Sequence, residues 1–293
     1  MEEKIIRKHV NILGVKIISS SKEGVLREVQ SSFKSSSKYN IVTPNPEQIL
    51  MAQDDLQFKD ILNSANMAIP DGIGLVAAAK FNSLPRPENL ITRYFVLFVQ
   101  GLGIGFSTLF DRSWLESELK LIKGREIFIE LIKLANKKGW KVVLVGDKYL
   151  SAQKAAKKLK LNFIKLEIVG FSGPDLDENG MPFSKKDSEL EKKVVQKINK
   201  EKPDLLFIGF RAPVQEKWLY RWYKNLDFKC SMVVGGTFDY TSGKKPLPPG
   251  WVDDLNLEWL WRLVNKDQKI KRISRAFPEF AWKVFWNKLV KSS

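Results

Sequence analysis

Short apolar runs recur along this chain, each closed by glycine, proline or a small polar cluster. Between them lie longer stretches with apolar residues every three or four positions. The runs have the length of strands and the stretches that of helices, so their alternation predicts an α/β fold, a Rossmann-like, mostly parallel sheet flanked by helices. Strands are expected at "VNILGVKI" (10–17), "YNIVT" (39–43), "NMAI" (66–69), "KVVLVG" (141–146), "FIKLEIVG" (163–170), "DLLFIGF" (204–210) and "CSMVVGG" (230–236). Helices are expected at "SKEGVLREVQSSF", "GREIFIELIKLANKKG", "SAQKAAKKLKL" and "SELEKKVVQKINKEK", with Gly139 and Pro203 as stops.

Two regions break the alternation. Tyr94 to Phe110 carries no charge over 17 residues, and contains Gly101, Gly103 and Gly105. That is short of the roughly 20 residues a spanning helix needs. A membrane-dipping hairpin, an oligomer contact and a buried helical segment all fit it. After Pro249 the strand signals stop and aromatic, basic helices begin. This places a boundary near residue 250, with an α/β core over 1–250 and a small helical C-terminal appendage over 251–293.

At 293 residues and 44% hydrophobic content, the chain can bury a sizeable core. The single cysteine, Cys230, excludes a disulfide framework, and the single histidine, His9, is far in sequence from every motif below. Neither a histidine general base nor a histidine-ligated metal is expected. "MEEKIIRKHVNILGV" has charges where a secretion signal needs an apolar stretch, so a cytoplasmic location is expected.

The formal charge is +16, which favours an anionic partner. From Arg262 to Ser293 there are nine Lys or Arg against two acids, and seven of the nine tryptophans lie from Trp218 onward. Cations interleaved with indole suit an anionic bilayer surface, and equally an amphipathic helix packed on its own core. Nucleic-acid binding rests on charge alone and is not expected.

Ligands of open parallel sheets bind outside the carboxyl ends of strands, so the residues just after each strand are candidates. "TPNPEQ" offers Thr43 and Asn45, and "PDGIG" offers Asp71; either Asn45 or Asp71 could instead cap the helix that follows. "FRAPVQEKWL" offers Gln215, Glu216 and Lys217 for a polar ligand. In "GGTFDYTSGKKP", Gly235 and Gly236 could admit a phosphate to backbone amides, with Asp239 towards a sugar or base. Neither a dinucleotide fingerprint nor a P-loop is present. A lone acid beside hydroxyl and amide groups, with many cations, suits a reaction in which a carboxylate takes a proton from a hydroxyl nucleophile and cations stabilise a departing diphosphate. Nucleotide-sugar glycosyl transfer is such a reaction.

These segments resemble the WecG/TagA/CpsF bacterial glycosyltransferases. The resemblance is carried by "VNILGV", "VTPNPEQILMAQDDLQFKDILNSANMAIPDGIGLV", "GFRAPVQEKWL", "VVGGTFDYTSGKKPLPPGWVDDLNLEWLWRLV" and "FPEFAWKVF", in family order and over most of the chain. It implies inverting, metal-independent transfer of N-acetylmannosamine or its uronic acid from a UDP-sugar to a polyprenyl-diphosphate-linked N-acetylglucosamine. No cofactor is implied. The enzyme would sit peripherally on the inner face of the cell membrane, docked by its appendage and by residues 94–110 if these dip into lipid.

By resemblance Asp71 is the general base, with Thr43 and Asn45 beside it; Gln215 is an active-site glutamine, and Gly236 and Asp239 are nucleotide contacts. Arg262 and Arg272 match appendage arginines that reach the diphosphate, and a third such arginine falls on Lys269, which keeps the charge without the bidentate fork. Leu121 stands where relatives carry an arginine, after an insertion at about 84–120; Lys120, Lys123 and Arg93 are the candidate replacements. The change at Leu121 also motivates a competing reading, a non-catalytic accessory subunit that binds a partner glycosyltransferase or the membrane.

Overall fold

The computed structural model describes residues 8–250, 252, 261 and 278–290. It opens on a hairpin, not on the single strand expected over 10–17. Strands β1 (Lys8–Ile12) and β2 (Val15–Ser19) pair antiparallel, with Ile12 opposite Val15. Leu13 and Gly14 turn the chain with φ of 51° and 84°, and Gly14 N donates to Asn11 Oδ1 at 2.8 Å. Two successive positive φ values make the tight turn whose twist matches paired strands, and an apolar run with a single glycine conceals it in sequence.

The other strands, β3 (Tyr39–Val42), β4 (Met67–Ala68), β5 (Lys141–Gly146), β6 (Glu167–Ser172), β7 (Leu205–Gly209) and β8 (Cys230–Val233), form one sheet in the order β4-β3-β8-β7-β5-β6. Every neighbouring pair is parallel, as the alternation predicts. Strand β6 begins at 167 and not at 163, because Phe163 N and Leu166 N are used in turns that close the preceding helix.

Side chains alternate across the sheet, so each strand feeds two apolar layers. Val142, Leu144, Leu205 and Phe207 pack under α1 (Lys22–Ser32), α7 (Gly124–Lys138) and α8 (Ser151–Asn162). Val143, Val145, Leu206 and Ile208 face α2 (Pro46–Asp54), α3 (Leu56–Ser64), α4 (Ile73–Ser83), α9 (Lys185–Glu201) and α10 (Val214–Trp222). Burial on both faces is what makes these strands continuous apolar runs. The predicted stops hold: Gly139 closes α7 at φ 68°, and Pro203 follows the end of α9.

The uncharged run is neither a hairpin nor a buried segment. It is one 21-residue helix, α5 (Leu90–Phe110), followed by the short α6 (Arg112–Leu115), and only 11% of the window Leu90–Thr108 is buried. After the short α11 (Thr237–Thr241), the last described helix, α12 (Phe280–Val290), packs against α2, α4 and α5.

Candidate active site

At the carboxyl edge of the sheet the loops after all six parallel strands surround a cleft of about 680 Å³. Thr43 and Asn45 line it after β3, Asp71 after β4, Asp147 after β5, Asp175 after β6, Arg211 and Gln215 after β7, and Gly236 and Asp239 after β8. The described members of the predicted set, Thr43, Asn45, Asp71, Gln215, Gly236 and Asp239, thus share one cavity. Arg262, Lys269 and Arg272 lie outside the described residues.

The capping alternatives separate cleanly. Asn45 is the N-cap of α2: its Oδ1 accepts from Gln48 N at 3.0 Å, while its own N–H donates to Gln48 Oε1 at 3.0 Å. It caps and lines the cleft at once. Asp71 does not cap α4. The N-cap there is Gly72, at φ 112°, with no side-chain cap hydrogen bond. That φ is unfavourable for any residue with a Cβ, and it lets the chain turn into α4 directly after the acid. Asp71 N donates to Pro44 O at 3.0 Å, which ties the acid's loop to the Thr43–Asn45 loop beside it.

Thr43 is almost buried, and its hydroxyl donates to Val233 O at 3.5 Å. A Cβ on Gly124 would come within 3.1 Å of Thr43 Cγ2, so the first turn of α7 approaches the β3 loop closely. That approach brings Lys123 and Arg125 into the cleft wall. Of Lys120, Lys123 and Arg93, only Lys123 lines the cleft. Arg93 is engaged elsewhere, donating to Pro87 O at 2.7 Å and Leu289 O at 3.0 Å. Lys120 is exposed and outside the cleft lining, and Leu121 packs against the core.

Helix α10 corrects two expectations. Only Gln215 of its first three polar residues reaches the cleft. Glu216 is 1% exposed, and its Oε1 accepts from Gln48 Nε2 at 3.2 Å and Gln215 Nε2 at 3.0 Å. Burial pushes its carboxyl up to about 7, opposed by the Gln215 hydrogen bond. Lys217, also buried, points back to Asp55 Oδ2 at 2.6 Å and Asn179 Oδ1 at 3.3 Å. The amide of Gly235 is likewise committed, donating to Gln215 Oε1 at 3.0 Å, whereas the Gly236 position is open: a Cβ there would have nothing within 4 Å.

Sequence reasoning missed the β5 side of the cleft. Asp147 Oδ1 accepts from Tyr149 N at 3.0 Å and from the buried Ser151 hydroxyl at 3.2 Å, while Tyr149 leaves its ring exposed. The signal was available, since Asp147 follows "KVVLVG" directly as Asp71 closely follows "NMAI". No trio of His, Cys, Asp or Glu that could hold a metal ion occurs among the described residues.

The family model described as the glycosyl transferase WecG/TagA/CpsF family matches residues 10–97 and 107–293, leaving 98–106, within α5, outside. A Bacillus subtilis (strain 168) N-acetylglucosaminyldiphosphoundecaprenol N-acetyl-beta-D-mannosaminyltransferase is 27% identical over 82% of this chain and 77% of its own length. Proteins of the same name from Staphylococcus aureus strains MRSA252 and MW2 are each 25% identical over 97% of this chain and 95% of theirs. With a cleft of the anticipated composition and a match over nearly the whole chain, this protein belongs to the WecG/TagA/CpsF family of glycosyltransferases.

Proposed function

We propose that this chain is an inverting, metal-independent glycosyltransferase moving N-acetylmannosamine, or a related sugar, from a UDP-sugar to a polyprenyl-diphosphate-linked N-acetylglucosamine in cell-surface polysaccharide synthesis. The observation that carries it is Asp71, a carboxylate that does not cap the helix after it, in the wall of a cleft shared with Thr43, Gln215, Lys123 and Arg125. The names of the relatives supply the sugar and the acceptor class.

In this reading Asp71 accepts the proton of the acceptor hydroxyl as its oxygen attacks the anomeric carbon. A carbon–oxygen bond forms on one face while the bond to the nucleotide diphosphate breaks on the other, so the configuration inverts and the diphosphate leaves with the electron pair. Lys123 and Arg125 stabilise the charge gathering on it, helped from the appendage by Arg262, Lys269 and Arg272. Gly236 and Asp239 face the nucleotide, while Thr43 and Asn45 hold the acceptor side. The chain works peripherally on the inner face of the cell membrane and needs no cofactor.

Asp71→Asn tests this reading with a UDP-sugar, a lipid-linked acceptor and mass-spectrometric detection of product. Loss of a general base lowers the rate by about 10²- to 10⁴-fold. Transfer at the parental rate would sink the assignment.

A further inference from the structure

Helix α5 divides lengthwise into two faces. Arg93, Leu97, Gln100 and Ile104, at steps of three and four, form the face turned to the protein: Leu97 and Ile104 are buried, Gln100 Nε2 donates to Pro85 O at 2.9 Å, and Arg93 donates to Leu289 O. Opposite them run Ile91, Phe95, Phe98, Leu102, Phe106 and Phe110, each at least 51% exposed. These positions fall within one arc of a 3.6-residue helix, and the stripe from Ile91 to Phe110 is about 28 Å long.

The apolar surface continues onto α12. Tyr94 meets Phe285 edge-on at 5.9 Å, Phe285 stacks on Trp282 at 5.7 Å, and Trp282 stacks on Trp286 at 6.0 Å, with both indoles more than half exposed. A continuous apolar face of this size on a soluble surface marks an interaction site.

We propose that this face, the outward stripe of α5 with the indoles of α12, docks flat on an anionic lipid bilayer. Charge selects the occupant: each copy of the chain carries +16, so two copies repel one another while anionic headgroups attract each of them. The inward face selects the posture. α5 is long and apolar enough to cross a membrane, but its contacts at Arg93, Leu97, Gln100 and Ile104 fasten it to the protein over its length, so lipid reaches one side only.

The docked face also connects to the cleft. Phe285 stacks on Phe81 of α4 at 6.3 Å, and a Cβ on Gly74, three residues after Asp71, would lie 3.9 Å from Phe280 Cδ1. On the reading of Asp71 as base, the bilayer surface is thereby held at a set distance from the residue that meets a lipid-linked acceptor; this consequence rests on that reading, and the docking itself does not.

The test uses the full chain and vesicles of phosphatidylglycerol and phosphatidylcholine in equal parts. Phe98→Glu/Leu102→Glu lowers vesicle partition by about ten- to a hundredfold while leaving the thermal melt unchanged, because both side chains already face solvent. Nitroxides at positions 91, 102 and 110, feasible because the one native cysteine, Cys230, is buried, report a common shallow depth. Partition unchanged by the double substitution overturns the proposal, as do depths running from one interface to the other, or a dimer in solution that the substitution dissolves. A water-soluble short-chain acceptor separates the two readings: a parent protein that binds vesicles yet transfers nothing to it keeps the docking surface and loses the catalytic assignment.

Discussion

Gln48 Nε2 donates to Glu216 Oε1 at 3.2 Å, joining the first turn of α2 to that of α10 beneath the cleft. The same Glu216 oxygen accepts from Gln215, whose own oxygen accepts from Gly235 N, and Gln48 is bonded in both directions to Asn45. One buried carboxyl therefore sets the positions of three loops that line the site, those after β3, β7 and β8.

That carboxyl makes stability depend on pH. Burial raises its value from 4.5 to about 7, so the native chain holds a proton that the unfolded chain has released. The contribution is complete below pH 4.5 and is lost as pH climbs towards 7, by at most about 3 kcal/mol. Glu216→Gln keeps an acceptor for both amides and removes the titration. Melting curves of the variant are expected to be flatter across this pH window than those of the parent.

Gln48→Ala cuts the link between Asn45 and Glu216. A stability loss of about 1–3 kcal/mol is expected, since Glu216 keeps only Gln215 as a side-chain donor. Because Asn45 also loses its capping partner, transfer activity should fall more than the shift in melting temperature alone explains. Equal activity per folded molecule would show that the network serves stability only.

Lys123→Ala and Arg125→Ala are each expected to slow transfer about ten- to a hundredfold, acting chiefly on kcat, since they meet charge that develops as the diphosphate departs. Lys120→Ala, outside the cleft lining, is the control and should leave the rate unchanged. Steady-state rates at saturating donor decide the matter.

Two glycine substitutions should move in opposite directions. Gly72→Ala forces a side chain onto φ 112°, where the nearest neighbour, Pro46 Cδ, would be 3.5 Å away. Backbone strain and not a clash costs the variant about 1–3 kcal/mol, and it displaces Asp71. Gly101→Ala lies in α5 with nothing within 4 Å of the new methyl, and helix propensity alone predicts a gain of about 0.5–1 kcal/mol. Chemical denaturation of both variants measures the pair.

The sequence by itself determined the parallel α/β sheet, because strands buried on both faces are apolar without interruption and leave a local trace: "KVVLVG" and "DLLFIGF" cannot be solvent-facing. It also pointed to four of the six loops that line the cleft, those after β3, β4, β7 and β8, because ligands gather where parallel strands end. Tertiary structure alone decided what depends on distant neighbours. That the loop of Asp71 lies beside Thr43 depended on Pro44 O, which accepts from Asp71 N; that Glu216 and Lys217 turn away from the cleft depended on Gln48 and Asp55, more than 160 residues earlier. Whether α5 is buried or exposed is invisible in an apolar run, since composition reports a residue's affinity for water and not which neighbour covers it.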